Sequence, residues 1–174
     1  ADYQTNLLSG PYKDSHLAAL FQQVLDTKQA AMSDFAPYEA SEGQPVVFTA
    51  APMIHHGEVE LVVVFQLSLD QINAIMQGRE GMGATGETYL VGPDLRMRSD
   101  SVLDSERHSV AASFAGSVAE NGIDTVSSRA ALAGQAGQVV ITDYRGEKVL
   151  SMYAPVTNHG LNWAFIAEID EAEA

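Results

Sequence analysis

The chain has 174 residues, 46% of them hydrophobic, enough for one good-sized domain or two small modules sharing a core. Nine Lys and Arg against 23 Asp and Glu leave a formal charge of -14, which repels phosphate backbones and anionic lipid surfaces and makes nucleic acid a poor partner. With no cysteine there is no disulfide framework, no thiolate metal site and no Cys nucleophile.

No apolar run approaches the roughly 20 residues needed to cross a bilayer. The longest, 59–67, is interrupted by Glu60 and Gln66. The start, Ala1-Asp2-Tyr3-Gln4, has neither the basic and apolar regions of a signal peptide nor an initiator Met, and reads as the edge of a piece of a longer polypeptide.

In chain order, Ser9-Gly10-Pro11 signals a turn. Leu17, Leu20, Phe21, Val24, Leu25 and Met32 then follow the spacing of one helical face, with Asp14 or Ser15 as cap and a stop expected near Asp34 because Pro37 follows. Residues 45–53 and 58–67 predict a β-hairpin joined by Ile54-His55-His56-Gly57. Its second strand is apolar on both faces towards its end, as a strand covered on two sides would be. Ser68 caps a helix through Gln77, with Gln71 completing a capping box and Leu69, Ile72, Ile75 and Met76 as its core face.

The Gly-rich stretch 81–86 marks a module boundary. Beyond it, 87–91 and 95–100 predict a second hairpin turning at Gly92-Pro93-Asp94. Residues 105–120 and 128–133 predict helices. Residues 137–143, 147–155 and 161–169 predict a three-stranded meander, with Trp163 and Phe165 on one side of its last strand. Two strands, a helical excursion and three strands give an α+β fold: an antiparallel five-stranded sheet with helices on one face, preceded by a partial second module of the same plan.

The stretch Gly83-Ala84-Thr85-Gly86-Glu87-Thr88-Tyr89-Leu90-Val91-Gly92-Pro93-Asp94 resembles the opening of the membrane-proximal module of double Cache sensor domains. Residues 143–155 and 161–170 are similar to its closing strands, and 45–53 with 67–72 to the end of the membrane-distal module. The resemblance implies a PAS-like extracytoplasmic sensor, with residues 1–80 an N-terminal helix plus a partial distal module and 81–174 the proximal one. It departs from the full pattern in lacking the distal module's first strands and the long N-terminal stalk helix. It also lacks the full aromatic and acidic signature of amino-acid-binding members. The expected role is periplasmic small-molecule sensing in a transmembrane chemoreceptor, the competing one a structural spacer or dimerisation module of a receptor histidine kinase or cyclase. The intact receptor is expected to be a parallel homodimer, and this fragment, with the stalk helices largely absent, a monomer.

A ligand, with an organic acid or amino acid the leading class, is expected between the proximal sheet and the helical excursion, at Tyr89, Arg98, Asp100, Ser101, Thr142, Tyr144 and Tyr153. Arg98 is the expected carboxylate anchor through bidentate hydrogen bonds, against the alternative of an Arg98–Asp100 ion pair with the tyrosines filling core. No cofactor or metal site is expected. His55 and His56 are adjacent on an extended chain and point apart, and Asp100, Asp104 and Glu106 match no cation-loop spacing. The glycines of 81–86 lack the Lys-Ser/Thr of a phosphate loop and precede a strand, and no hydrolase motif is present, so an enzyme is not expected.

Overall fold

The computed structural model describes residues 5–174. They pack as two compact units: residues up to Ser68 with Asn158–Leu161, and Leu69–Thr157 with Asn162–Ala174.

In the first unit, α1 (His16–Thr27) begins as its cap requires, the Ser15 hydroxyl accepting the Ala18 N–H at 3.2 Å. It ends well before Asp34. Lys28 takes the left-handed conformation at φ 54°, its N–H donating to the Val24 carbonyl, and the chain turns back. Met32, helical by its spacing, therefore lies in a short strand, β1 (Ala31–Met32). β2 (Ala36–Pro37), a 3-10 turn (Glu39–Ser41), β3 (Pro45–His55) and β4 (Glu58–Leu67) follow. β3 is the middle strand: β1 and β2 pair with successive parts of one edge, β4 with the other, all antiparallel. The β3–β4 hairpin turns at His56 and Gly57, with φ 50° and 83°, the turn whose twist matches that of its strands.

Leu17, Leu20 and Val24 of α1 pack on Val46, Phe48 and Ala50 of β3, with the Tyr38 ring edge-on to Phe48 at 5.2 Å. Among the described residues, β4 is covered on one face only. Val62 and Val64 reach the core, whereas Leu61 and Phe65 on the other face stand 54% and 64% exposed. Apolar sequence makes burial favourable, but burial needs a layer to lie against.

The second unit runs through α2 (Leu69–Met76), β5 (Glu87–Val91), α3 (Val110–Ala115), α4 (Val118–Asn121), α5 (Val126–Leu132), β6 (Gly137–Thr142), β7 (Lys148–Asn158) and β8 (Leu161–Asp170). Its sheet has the order β5-β8-β7-β6, and the closing meander forms as its turn residues predict. The expected fifth strand, 95–100, is reduced to a single bridge between Val91 and Met97. Leu95 is left-handed at φ 62°, and the Ser99 hydroxyl, rather than a backbone carbonyl, accepts the Leu90 N–H at 2.9 Å. Side-chain bonds thus replace part of the ladder.

The helical excursion is also more broken than its Ala-rich composition suggests. Asp100 Oδ1 takes the Val110 N–H at 2.7 Å and Ser109 Oγ that of Ala112 at 3.2 Å, so helix begins only at Val110. Extended Gly116 separates α3 from α4, and a Thr125–Ser128 capping box starts α5. α2 presents no buried residue, and Ile75 of its expected core face is 72% exposed.

In the connector, Gly81 and Gly83 take φ 80° and 70°, the region only glycine enters freely. Gly86 serves a different need: a Cβ there would overlap the Met82 carbonyl oxygen, while Arg79 Nε donates to the Gly86 carbonyl at 2.8 Å. Gly86→Ala should cost about 1–3 kcal/mol by overpacking. A melting temperature equal to that of the parent would refute the tight approach.

Candidate functional site

Strand alternation puts Glu87, Tyr89 and Val91 of β5 on one face, directly opposite Glu168, Ile166 and Ala164 of β8. All six are buried, as are Val149 and Ser151 of β7. The inner face of the sheet thereby carries two carboxylates side by side in an otherwise apolar layer.

Glu87 is fully served. Tyr144 donates its hydroxyl to Oε1, and Oε2 accepts from Ser101 Oγ at 2.9 Å and from the N–H groups of Val102 and Leu103 at 3.1 and 3.4 Å. Glu168 Oε2 accepts the Tyr89 hydroxyl at 2.7 Å, but Oε1 is buried without a hydrogen-bond partner. The Ser151 hydroxyl lies close enough to favour the charged form, yet its geometry falls short of a hydrogen bond. Burial pushes the Glu168 carboxyl up to about 7, with the negative charges of Asp143 and Glu87 adding to it. Burial likewise raises both phenols, Tyr89 beside Glu168 and Tyr144 beside Glu87, so both remain donors.

Above this network lies a cavity of about 890 Å³, lined by residues 107–108, by 118–122 with Asp124 and Thr125, and by 142–144. Tyr144 links the two, its hydroxyl in the buried network and its ring tilted against His108 with centroids 4.4 Å apart. His108 Nδ1 is 3.0 Å from Asp104 Oδ2, which Arg107 Nη2 also meets at 2.8 Å. Burial works against the Asp104 charge, but these two partners hold its carboxyl below the ordinary range. The cavity lining includes Arg107 and the buried His108, both engaged by Asp104, together with Glu120 and with Asp124, whose two oxygens accept from Arg129.

Of the residues expected to form a site, the fold brings Tyr89, Ser101 and Tyr144 together, and Thr142 lines the cavity beside Tyr144. Arg98 does not line it. The residue is 1% exposed, its guanidinium 2.9 Å from Asp94 Oδ1 and 5.2 Å over the Phe114 ring. Asp100 is taken up by Asn73 and the start of α3. Tyr153 stands in register with Gly137 on the β6–β7 pair. Spacing alone did not single out Glu87, Glu168, His108 or Asp143. A signal existed for the first two, since each alternates with apolar residues on an inward face. Among the described residues, no three His, Asp or Glu side chains cluster as metal ligands.

No protein-family model and no curated protein matches the sequence. Solved structures do match in fold. The periplasmic sensory domain of the Campylobacter jejuni chemoreceptor Tlp1 superposes with a TM-score of 0.62 at 14% identity, over 88% of this chain and 55% of that one. The ligand-binding domain of the Pseudomonas aeruginosa PAO1 amino-acid chemoreceptor PctC, solved with GABA, gives 0.57 at 16%, over 90% and 63%. The extracellular domain of the putative histidine kinase mmHK1S-Z2 gives 0.58 at 18%, over 97% and 63%. The chain thus spans less than two thirds of the length of these structures. Its fold is the α+β, PAS-like arrangement of Cache sensor domains. These neighbours are sensory domains, and no helix among the described residues is long and apolar enough to cross a membrane.

Proposed function

We propose that the chain is the extracytoplasmic, small-molecule-sensing part of a bacterial transmembrane chemoreceptor, with residues 1–80 from a membrane-distal module and 81–174 forming the membrane-proximal one. The observation that carries this is the cavity of about 890 Å³ in a fold shared with periplasmic chemoreceptor domains. Two neighbours are solved with GABA or glutamine, and the present cavity suits a ligand of that zwitterionic kind. A carboxylate would face the exposed Arg107, and an ammonium Glu120. Occupancy would favour one arrangement of residues 107–108, α4 and 142–144, and Tyr144 would carry that preference to Glu87 on β5. In the intact receptor the state of β8 then passes to an attached membrane helix, and the receptor acts as a homodimer.

The test is a thermal-shift screen of amino acids, organic acids and polyamines. A ligand at 100 times its Kd stabilises by about 2.7 kcal/mol. Arg107→Ala should abolish the shift while leaving the unliganded melting temperature nearly unchanged, because that side chain is 68% exposed. The absence of any shift would favour the second reading, a spacer or dimerisation module of a receptor kinase or cyclase. The burial of Arg98 against Asp94, away from the cavity, and the Tyr89 ring filling the sheet face speak for that reading.

A further inference from the structure

The two carboxylates that face each other across the β5–β8 pairing have unequal surroundings. Glu87 and Glu168 are direct register partners, 1% and 3% exposed. Four donors converge on Glu87, two hydroxyls and two backbone N–H groups, so each of its oxygens is served. Glu168 receives one donor, from Tyr89, and among the described residues neither its Oε1 nor the buried Ser151 Oγ has a hydrogen-bond partner. A bare buried oxygen is costly on an anion. On a neutral carboxyl it becomes an O–H donor with an acceptor, Ser151 Oγ, already nearby.

We propose that Glu168 is a proton-binding site, independent of any small-molecule ligand, whose occupancy sets how firmly β5 is held on β8. Of these two adjacent buried carboxyls, Glu168 is the one with an oxygen left bare and a hydroxyl beside it, so the proton goes there. The groups facing Glu168 are Glu87 and Tyr89 from β5, Ser151 from β7 and Asp143 from the turn after β6. The same turn's Tyr144 is bound to Glu87, and its Arg145 is engaged by Asp143 and Asp170, at 2.8 and 2.7 Å. Deprotonating Glu168 therefore adds a buried negative charge close to Glu87 and Asp143, both of which work against it. The carboxyl lies at about 7 in the fold, raised by burial from an ordinary value of 4.5. Its stabilisation is complete below the unfolded value, declines as pH rises, and is lost as pH passes through about 7. Across that interval the folding equilibrium constant should fall on the order of 100-fold.

The experiment is an NMR titration of the chain labelled with carbon-13 at the glutamate carboxyls, from acid pH to alkaline, beside E168Q. The expected result is one glutamate resonance with a midpoint near neutrality that is missing from E168Q. Hydrogen-exchange protection in β5 and β8, corrected for the intrinsic pH dependence, should fall across the same range in the parent and stay level in E168Q. Glu168 titrating in the ordinary carboxyl range, a neutral midpoint that survives in E168Q, or protection that changes alike in both proteins would each overturn the proposal. The first measurement is made on the unaltered chain, so it decides even if E168Q folds poorly. A ligand screen that finds nothing leaves it untouched.

Discussion

Replacing Asp94 by Ala should destabilise the second unit by about 1–3 kcal/mol, because it takes one anionic partner, itself 37% exposed, from a buried guanidinium. For a chain of this length the melting temperature should drop by roughly 5 °C. The reason lies with Arg98, whose side chain is 2% exposed and whose Nη2 sits 2.9 Å from Asp94 Oδ1. The carbonyls of Arg96 and Met97 also accept from its Nη1, at 3.1 and 3.4 Å, and Phe114 covers its face. Those dipoles do not replace a full negative charge. The pocket has little slack on its other side, since a Cβ at Gly92 would overlap the guanidinium, so Gly92→Ala should expel it and reproduce much of the loss. Thermal or urea unfolding at several salt concentrations checks this. A cost under about 1 kcal/mol that vanishes in high salt is the behaviour of a surface pair, and would refute this account.

Phe48→Ala should cost the first unit more, about 3–5 kcal/mol. Phe48 is 4% exposed on the central strand, with the Tyr38 ring at 5.2 Å and the His16 ring at 5.1 Å. Its removal opens a void beneath α1, the helix whose Leu17, Leu20 and Val24 complete the same core. Those neighbours are anchored by strand and helix backbone and can close the void only in part, so the cavity cost adds to the lost transfer energy. Urea titration followed by tyrosine fluorescence should show the midpoint fall by roughly 1–3 M at an unchanged slope. Phe48→Leu, which keeps an apolar group of nearly the same bulk, should cost far less. Equal losses for the two would mean that ring packing, rather than volume, holds this core.

How much of this was legible in the sequence varied from element to element. The closing meander was, because β6, β7 and β8 carry long apolar strands punctuated by Gly146 and Gly160, both at positive φ. The β3–β4 hairpin was legible for the same reason at Gly57, and the start of α1 was because a serine hydroxyl satisfies its first turn. Local chemistry acts within a few residues, and it is written in the chain. What stayed hidden depended on partners distant in sequence. The strand over 95–100 dissolved because Ser99 and Asp100 bond to Leu90, Val110 and Asn73 instead of extending a ladder. The face of β4 that carries Leu61 and Phe65 stayed bare because no described layer lies on it. The candidate site followed the same division. Alternation placed Glu87 beside Tyr89, but only the β5–β8 register set Glu168 opposite Glu87. Arg98 was visible as a cation on an expected strand. That it would be sealed by Asp94, leaving Arg107 at the cavity wall, was decided by a turn geometry in which Leu95 is left-handed and a close backbone approach that only glycine at position 92 permits.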